Sequence, residues 1–199
     1  MQEIVREKYP AIDGTCFVMD GLKLEVEKSS CVLEQNAFYN GWQHSHWVVN
    51  ILVFDLTGKV IACGLNAPGS WHDSLVCESY GVYDKLRKAY EEHGAKTAVD
   101  SAFSVSGANS DFLIKSGELH HAQNATSIRQ ASEWGVNSWK ASFPRLKDTL
   151  RFERDGERGR ILLCMILLHN LRVAKVGQNQ LKSVFFKDRL AVEATRLFV

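Results

Sequence analysis

The sequence predicts an α/β protein with a mixed sheet flanked by helices. Three observations carry this. Trp47–Phe54 and Val60–Leu65 are β-branched and aromatic runs joined by a tight Leu56-Thr57-Gly58-Lys59 turn, which reads as a hairpin. Shorter strand-like runs lie on either side, at Ala11–Met19 and Thr97–Phe103. Long helical stretches fill much of the rest. The order strand, hairpin, helix, strand, helix, helix places a helical crossover after hairpin pairing, and so mixes antiparallel with parallel neighbours.

The first strand carries a carboxylate, Asp13, in the run YPAIDGTCF. Buried in a strand, such a group is costly unless paired or bound to a cation. Asp13 is therefore either a strand-end turn residue or a metal ligand. Gly21 is expected to mark a turn. Lys23–Phe38 is polar and reads as a short hairpin or an insertion. After the central hairpin, Asn66–Ser70 forms a loop on a Pro-Gly turn. A helix then runs from His72 to about Glu91, with Asp73 as its N-cap and Gly94 as its stop. Thr97–Phe103 is a short buried strand with a second carboxylate, Asp100. Residues 104–126, rich in Ser, Asn, Gly and His, are expected to form a long loop with one helical turn. Ser127–Leu150 reads as a helix carrying Glu133 and broken near Pro144. A charged link, Arg151–Arg160, leads to a helix over Ile161–Val176. That helix is apolar nearly all round at its start, and so is expected to be buried. Val184–Val199 is expected to be a peripheral helix.

The chain has 199 residues and a formal net charge of +1, so no global field announces a nucleic-acid or membrane partner. Its five cysteines form no C-x-x-C pair, which argues against a disulfide framework or a thiol zinc site. The N-terminal ten residues lack the apolar segment of a signal peptide, and Ile161–Leu168 is too short to span a bilayer. The expectation is one nuclear or cytoplasmic domain over residues 1–199, with its core over about residues 9–176.

Three acids spread along the chain, Asp13, Asp100 and Glu133, can converge at one end of such a sheet. Two divalent cations about 3.5–4 Å apart, held by such acids, suit phosphodiester cleavage, and Mg²⁺ demands hard oxygen ligands of this kind. Spacing alone is a weak signal.

Six segments in order add to it: YPAIDGT, YNGWQHSHWVVNILVFDLTGKV, NAPGSWHDS, VDSAF, RQASEWGVNSWKASFPRL and ILLCMILLHNLR. Over about residues 9–173 the chain resembles the DDE-type nuclease domain of PIF/Harbinger transposases and their domesticated relatives. The resemblance implies an RNase H-like fold and Mg²⁺- or Mn²⁺-dependent DNA cleavage and transfer, with two ions. It implies Asp13, Asp100 and Glu133 as catalytic metal ligands, with Asp73 as a further acid of the metal site. It implies DNA as partner, an oligomer as a possible state, and a separate Myb-like DNA-binding protein, since the upstream DNA-binding stretch of the family is missing here. A fragment or domesticated remnant is the expectation, and a catalytically silent DNA- or protein-binding module is the alternative. The sequence departs from the family at Val99, where a glycine is usual, and at Ala102-Phe103-Ser104, where Gly-Tyr-Pro is common.

Other residues have plainer readings beside their functional ones. Trp71 and His72 adjoin Asp73 and are candidate DNA contacts, Trp71 by stacking on a base. Lys140, Arg145 and Lys147 are candidate phosphate contacts. They belong to a stretch, continuing through Arg151, Arg154, Arg158 and Arg160, whose interleaved acids make a solvated, self-paired face the default. His44, His46, His120 and His121 are candidate zinc ligands or ordinary surface residues. His169 and Asn170 read as core residues with hydrogen-bond partners. Trp42, Trp134 and Trp139 read as core by type. Asp20, Asp55 and Asp84 read as turn or surface acids. Cys16 is a candidate nucleophile with no activating neighbour in sequence.

Overall fold

The computed structural model describes residues 14–100, 102–103, 105–115, 122–151, 155–177 and 180–184. The elements are β1 (Thr15–Glu25), α1 (Val32–Phe38), β2 (Tyr39–Asn40), β3 (Ser45–Asp55), β4 (Val60–Pro68), α2 (Asp73–Ser79), α3 (Val82–His93), β5 (Lys96–Val99), β6 (Leu113–Lys115), α4 (Ala122–Ser142) and α5 (Asp155–Val176). Among the described residues, two 3-10 turns, Gly107–Asn109 and Pro144–Lys147, accompany them. No described helix is long and apolar enough to cross a membrane.

The sheet runs β2-β3-β1-β5-β6, with β4 also paired to β3. The β3–β4 hairpin expected from sequence is present and longer at both ends. β3 pairs antiparallel with β1 from Phe17↔Asp55 to Glu25↔Trp47. β5 then joins β1 in parallel, and β6 joins β5 in parallel. β6 lies inside the stretch expected to be a loop.

β1 is the main correction to the expected elements. It does not end at Met19 but continues through Asp20 and Gly21 to Glu25. The apolar residues at alternate positions explain why: Val18, Leu22, Leu24 and Val26 face one core, while Met19 faces the other. The first core lies under α4 and α5 and includes Trp139, Leu146, Leu162 and Ile166. The second lies under α2 and α3 and includes Val76, Cys77, Leu86 and Phe112. α4 approaches β3 closely at Gly135, where an added Cβ would stand 2.8 Å from the Phe54 ring. That approach sets the position of Glu133 two residues earlier.

The helix expected over His72–Glu91 is two helices. Gly81 takes a left-handed conformation (φ 64°) between them, which ends the first and starts the second. Gly94 caps the second, donating its N–H to the Tyr90 carbonyl.

α5 is not buried all round. Leu162, Ile166, His169 and Val173 face the core, whereas Leu163, Leu167, Leu168 and Leu171 are exposed. Its inner face is fastened to the hairpin by the LHN segment. Asn170 accepts from the Val60 N–H at 2.8 Å and donates to the Val60 carbonyl at 2.7 Å. His169 Nε2 lies 3.0 Å from the Gly58 carbonyl, and burial holds its pKa below the ordinary histidine value. Asp55 holds the hairpin turn itself through the N–H groups of Thr57 and Lys59.

Arg158 departs from the solvated face expected of its segment. It is buried, donates to Asn66 Oδ1 and the Arg151 carbonyl, and stacks over the Phe38 ring. Asn66 in turn donates its N–H to the buried Asn50, whose amide reaches the Leu22 carbonyl. This polar chain satisfies backbone groups left over where β4 bulges away from β3. The nearby Arg145 keeps the expected self-paired state, 3.2 Å from Asp148 in an exposed pair. The terminal stretch 185–199 lies outside the described residues.

Candidate active site

The site is built where β1 loses a neighbour. β5 pairs with β1 up to Met19↔Val99 and then stops. β1 regains a partner only near Val26, which bridges to Leu150. Among the described residues, one edge of β1 is open between these points, and Asp20, Gly21 and Lys23 lie along it.

Four carboxylates reach this gap from four elements. Asp20 comes from β1 itself. Asp100 is the residue after β5, one step beyond the last register pair, Met19↔Val99, and its charge acts on Asp20. Asp73 opens α2 and comes up against Gly21: an added Cβ there would stand 2.8 Å from Asp73 Oδ2. Glu133 comes from α4, whose side chain is exposed.

The electrostatics agree with this placement. Burial pushes the Asp20 carboxyl from 3.8 up to about 6. The Gly21 N–H, donated to Asp20 Oδ1 at 2.8 Å, opposes the rise, while the charges of Asp100, Asp73 and Glu133 add to it. The Asp73 carboxyl is also raised, chiefly by burial, against the pull of Lys23 and His72 and with the push of Asp100. Three part-buried, mutually repelling aspartates with the exposed Glu133 are a donor set of hard oxygens whose repulsion a divalent cation would relieve. Among the described residues, no three His, Cys, Asp or Glu side chains stand close enough to hold a metal as they are.

The expected site residues divide as follows. Asp73, Asp100 and Glu133 all act on Asp20. Asp13 lies outside the described residues. Asp20, expected as a turn or surface acid, is instead a half-buried mid-strand residue at the centre of the cluster. A signal for it was present: Met19-Asp20-Gly21 repeats the apolar-Asp-Gly pattern of Ile12-Asp13-Gly14 within a longer apolar run. Trp71 and His72 line a cleft of about 650 Å³ together with Asp73 and Lys23. Asp73 is the first helical residue, and His72 takes the N-cap position without a side-chain cap.

Lys140 is half-buried in the last turn of α4, and Arg145 and Lys147 are exposed on the following 3-10 turn. Trp42, expected in the core, is 90% exposed. His46 is buried against Tyr39, and His44 is exposed on the β2–β3 turn. His120 and His121 lie outside the described residues. Cys16 is buried in β1.

No curated protein and no solved structure matches the chain. The family described as DDE superfamily endonuclease matches residues 19–170, a span that takes in Asp20, Asp73, Asp100 and Glu133. A match over that much of the sequence means that the chain belongs to the DDE superfamily endonuclease family.

Proposed function

We propose that this chain is a divalent-metal-dependent DNA nuclease of transposase type, cutting phosphodiester bonds at the open edge of β1. One observation carries the reading: Asp20 lies mid-strand in β1 beside Gly21, against which the Asp73 carboxylate is packed, and one step past the last β1–β5 pair, Met19↔Val99, where Asp100 follows β5. The charges of Asp100, Asp73 and Glu133 accordingly help to raise its carboxyl. Asp20 takes the place of first acid that the resemblance gave to Asp13. Asp100 and Glu133 keep their expected roles, and Asp73 is the fourth acid. The strand order, three antiparallel strands followed by two parallel ones, supports an RNase H-like sheet. Family membership supports DNA as the substrate.

The chain's own residues set the terms. The four carboxylates would hold Mg²⁺ or Mn²⁺, two ions in the reading carried from sequence. A divalent ion, when bound, would supply the charge that stabilises phosphoryl oxygens and acidifies the attacking group. Asp20 must be ionised to ligate, so metal uptake competes with its proton and strengthens as pH rises through about 6. Lys23 and His72, on the cleft side of Asp73, meet the negative charge of the strand. The PIF/Harbinger lineage, a Myb-like partner and a nuclear location belong to the same reading.

A second reading, a catalytically silent module that binds DNA or protein, is favoured by one observation: the described acids are not gathered at ligating distance. Nicking of supercoiled plasmid separates the two. The nuclease reading expects nicking with Mn²⁺ or Mg²⁺, abolished by chelator and by Asp20→Asn. Folded protein that nicks with neither ion supports the silent module.

A further inference from the structure

The cleft beside the acids has a construction that the cleavage chemistry alone does not call for. The β2–β3 turn lines it and carries Trp42 with its indole almost wholly in solvent. Exposing that much aromatic surface forgoes the stabilisation that burial would give. Yet the turn is tightly held. Asn40 is buried, and its Oδ1 accepts from the N–H groups of Trp42 at 3.1 Å and Gln43 at 3.2 Å.

Two of the lining segments are joined by hydrogen bonds. Asn40 Nδ2 donates to the Gly69 carbonyl at 2.9 Å, and the Ser70 N–H donates to the Ala37 carbonyl at 3.1 Å. Gly69 admits no side chain, since a Cβ would run into the carbonyls of Trp47 and Phe38. Trp71, His72, Lys23 and Asp73 line the same cleft. A hydrogen-bonded cleft thus presents aromatic side chains and a cation beside Asp73, one of the four acids.

We infer that this cleft is a subsite for one unstacked nucleotide next to the cleaved phosphate, with Trp42 stacking on its base and Lys23 meeting its phosphate. The inference rests on the nuclease reading and adds a strand-state preference to it. Bases within a duplex are stacked on both faces and cannot offer one to an indole. Single-stranded or locally opened DNA can, and each base stacked on an aromatic side chain strengthens binding. Trp42 is a positioning residue here: it fixes the strand, and the acids do the chemistry.

The test is fluorescence anisotropy of the full chain with labelled 20-nucleotide single strands and matched duplexes, in EDTA and again in Ca²⁺, so that binding is read without cleavage. Trp42→Ala should weaken single-strand binding about tenfold and change duplex binding less than about twofold, and Trp42→Phe should restore most of the loss. Equal affinities for wild type and Trp42→Ala, equal losses on both DNA forms, or no single-strand binding by wild type would each overturn the inference. Because no bond is cut in this assay, a protein that binds in this way yet never nicks plasmid would fail as a nuclease and keep the subsite.

Discussion

Gly21 has no room for a side chain because the Asp73 carboxylate occupies the space: an added Cβ would lie 2.8 Å from Oδ2. The neighbour that must move is the end of a side chain, not backbone. Gly21→Ala should therefore leave the fold intact, with unfolding free energy changed by less than about 1 kcal/mol. The displaced carboxylate should lower nicking activity by about a hundredfold or more, the scale on which misplacement by an ångström acts. Circular dichroism melting alongside plasmid nicking checks both halves.

Asp20 should make the metal-free protein less stable at neutral pH. Its carboxyl is raised from 3.8 to about 6 in the fold. Between about pH 4 and 6 the unfolded chain releases this proton while the folded chain keeps it, so stability falls as pH rises through that window and then levels off. Asp20→Asn should thus be more stable than wild type at pH 7 in EDTA, by about 1–3 kcal/mol, and equal to it near pH 3.5. Urea melts at the two pH values measure this.

Asn170 makes both hydrogen bonds to the Val60 backbone, joining α5 to the start of β4. Asn170→Ala removes both and leaves a part-buried N–H and carbonyl unpaired. The expected cost is about 2–4 kcal/mol, with nicking by the surviving folded fraction unchanged per molecule. His169 adds a pH effect at the same seam. Its folded pKa is depressed, so the stability it contributes is present above its ordinary value of 6.5 and is lost as pH falls below it.

Much of the fold was legible in the sequence because its signals are local. The hairpin turn at Leu56–Lys59, the capping Gly94 and the LHN contacts each depend on neighbours in sequence or on side chains of fixed habit. Family resemblance singled out Asp73, Asp100 and Glu133, whose charges act on Asp20 in the fold. Asp20 escaped because Asp-Gly is read locally as a turn, whereas here long pairing with β3 overrides it and keeps Gly21 extended. That pairing also explains Gly21, whose missing side chain is a tertiary requirement set by α2. Arg158 escaped for a similar reason. Nothing in its charged segment announces that Asn66, at a β4 bulge, draws it inward. The all-round apolar start of α5 suggested full burial, but one helix face is all that the sheet covers among the described residues.

Calorimetric titration of Mn²⁺ into wild type, Asp20→Asn and Asp13→Asn at pH 7.5 tests the proposed acid cluster most directly. Saturable binding by wild type and Asp13→Asn, with at least about a tenfold loss in Asp20→Asn, is the predicted result. Equal binding by Asp20→Asn, or no binding by the folded wild type, would contradict it.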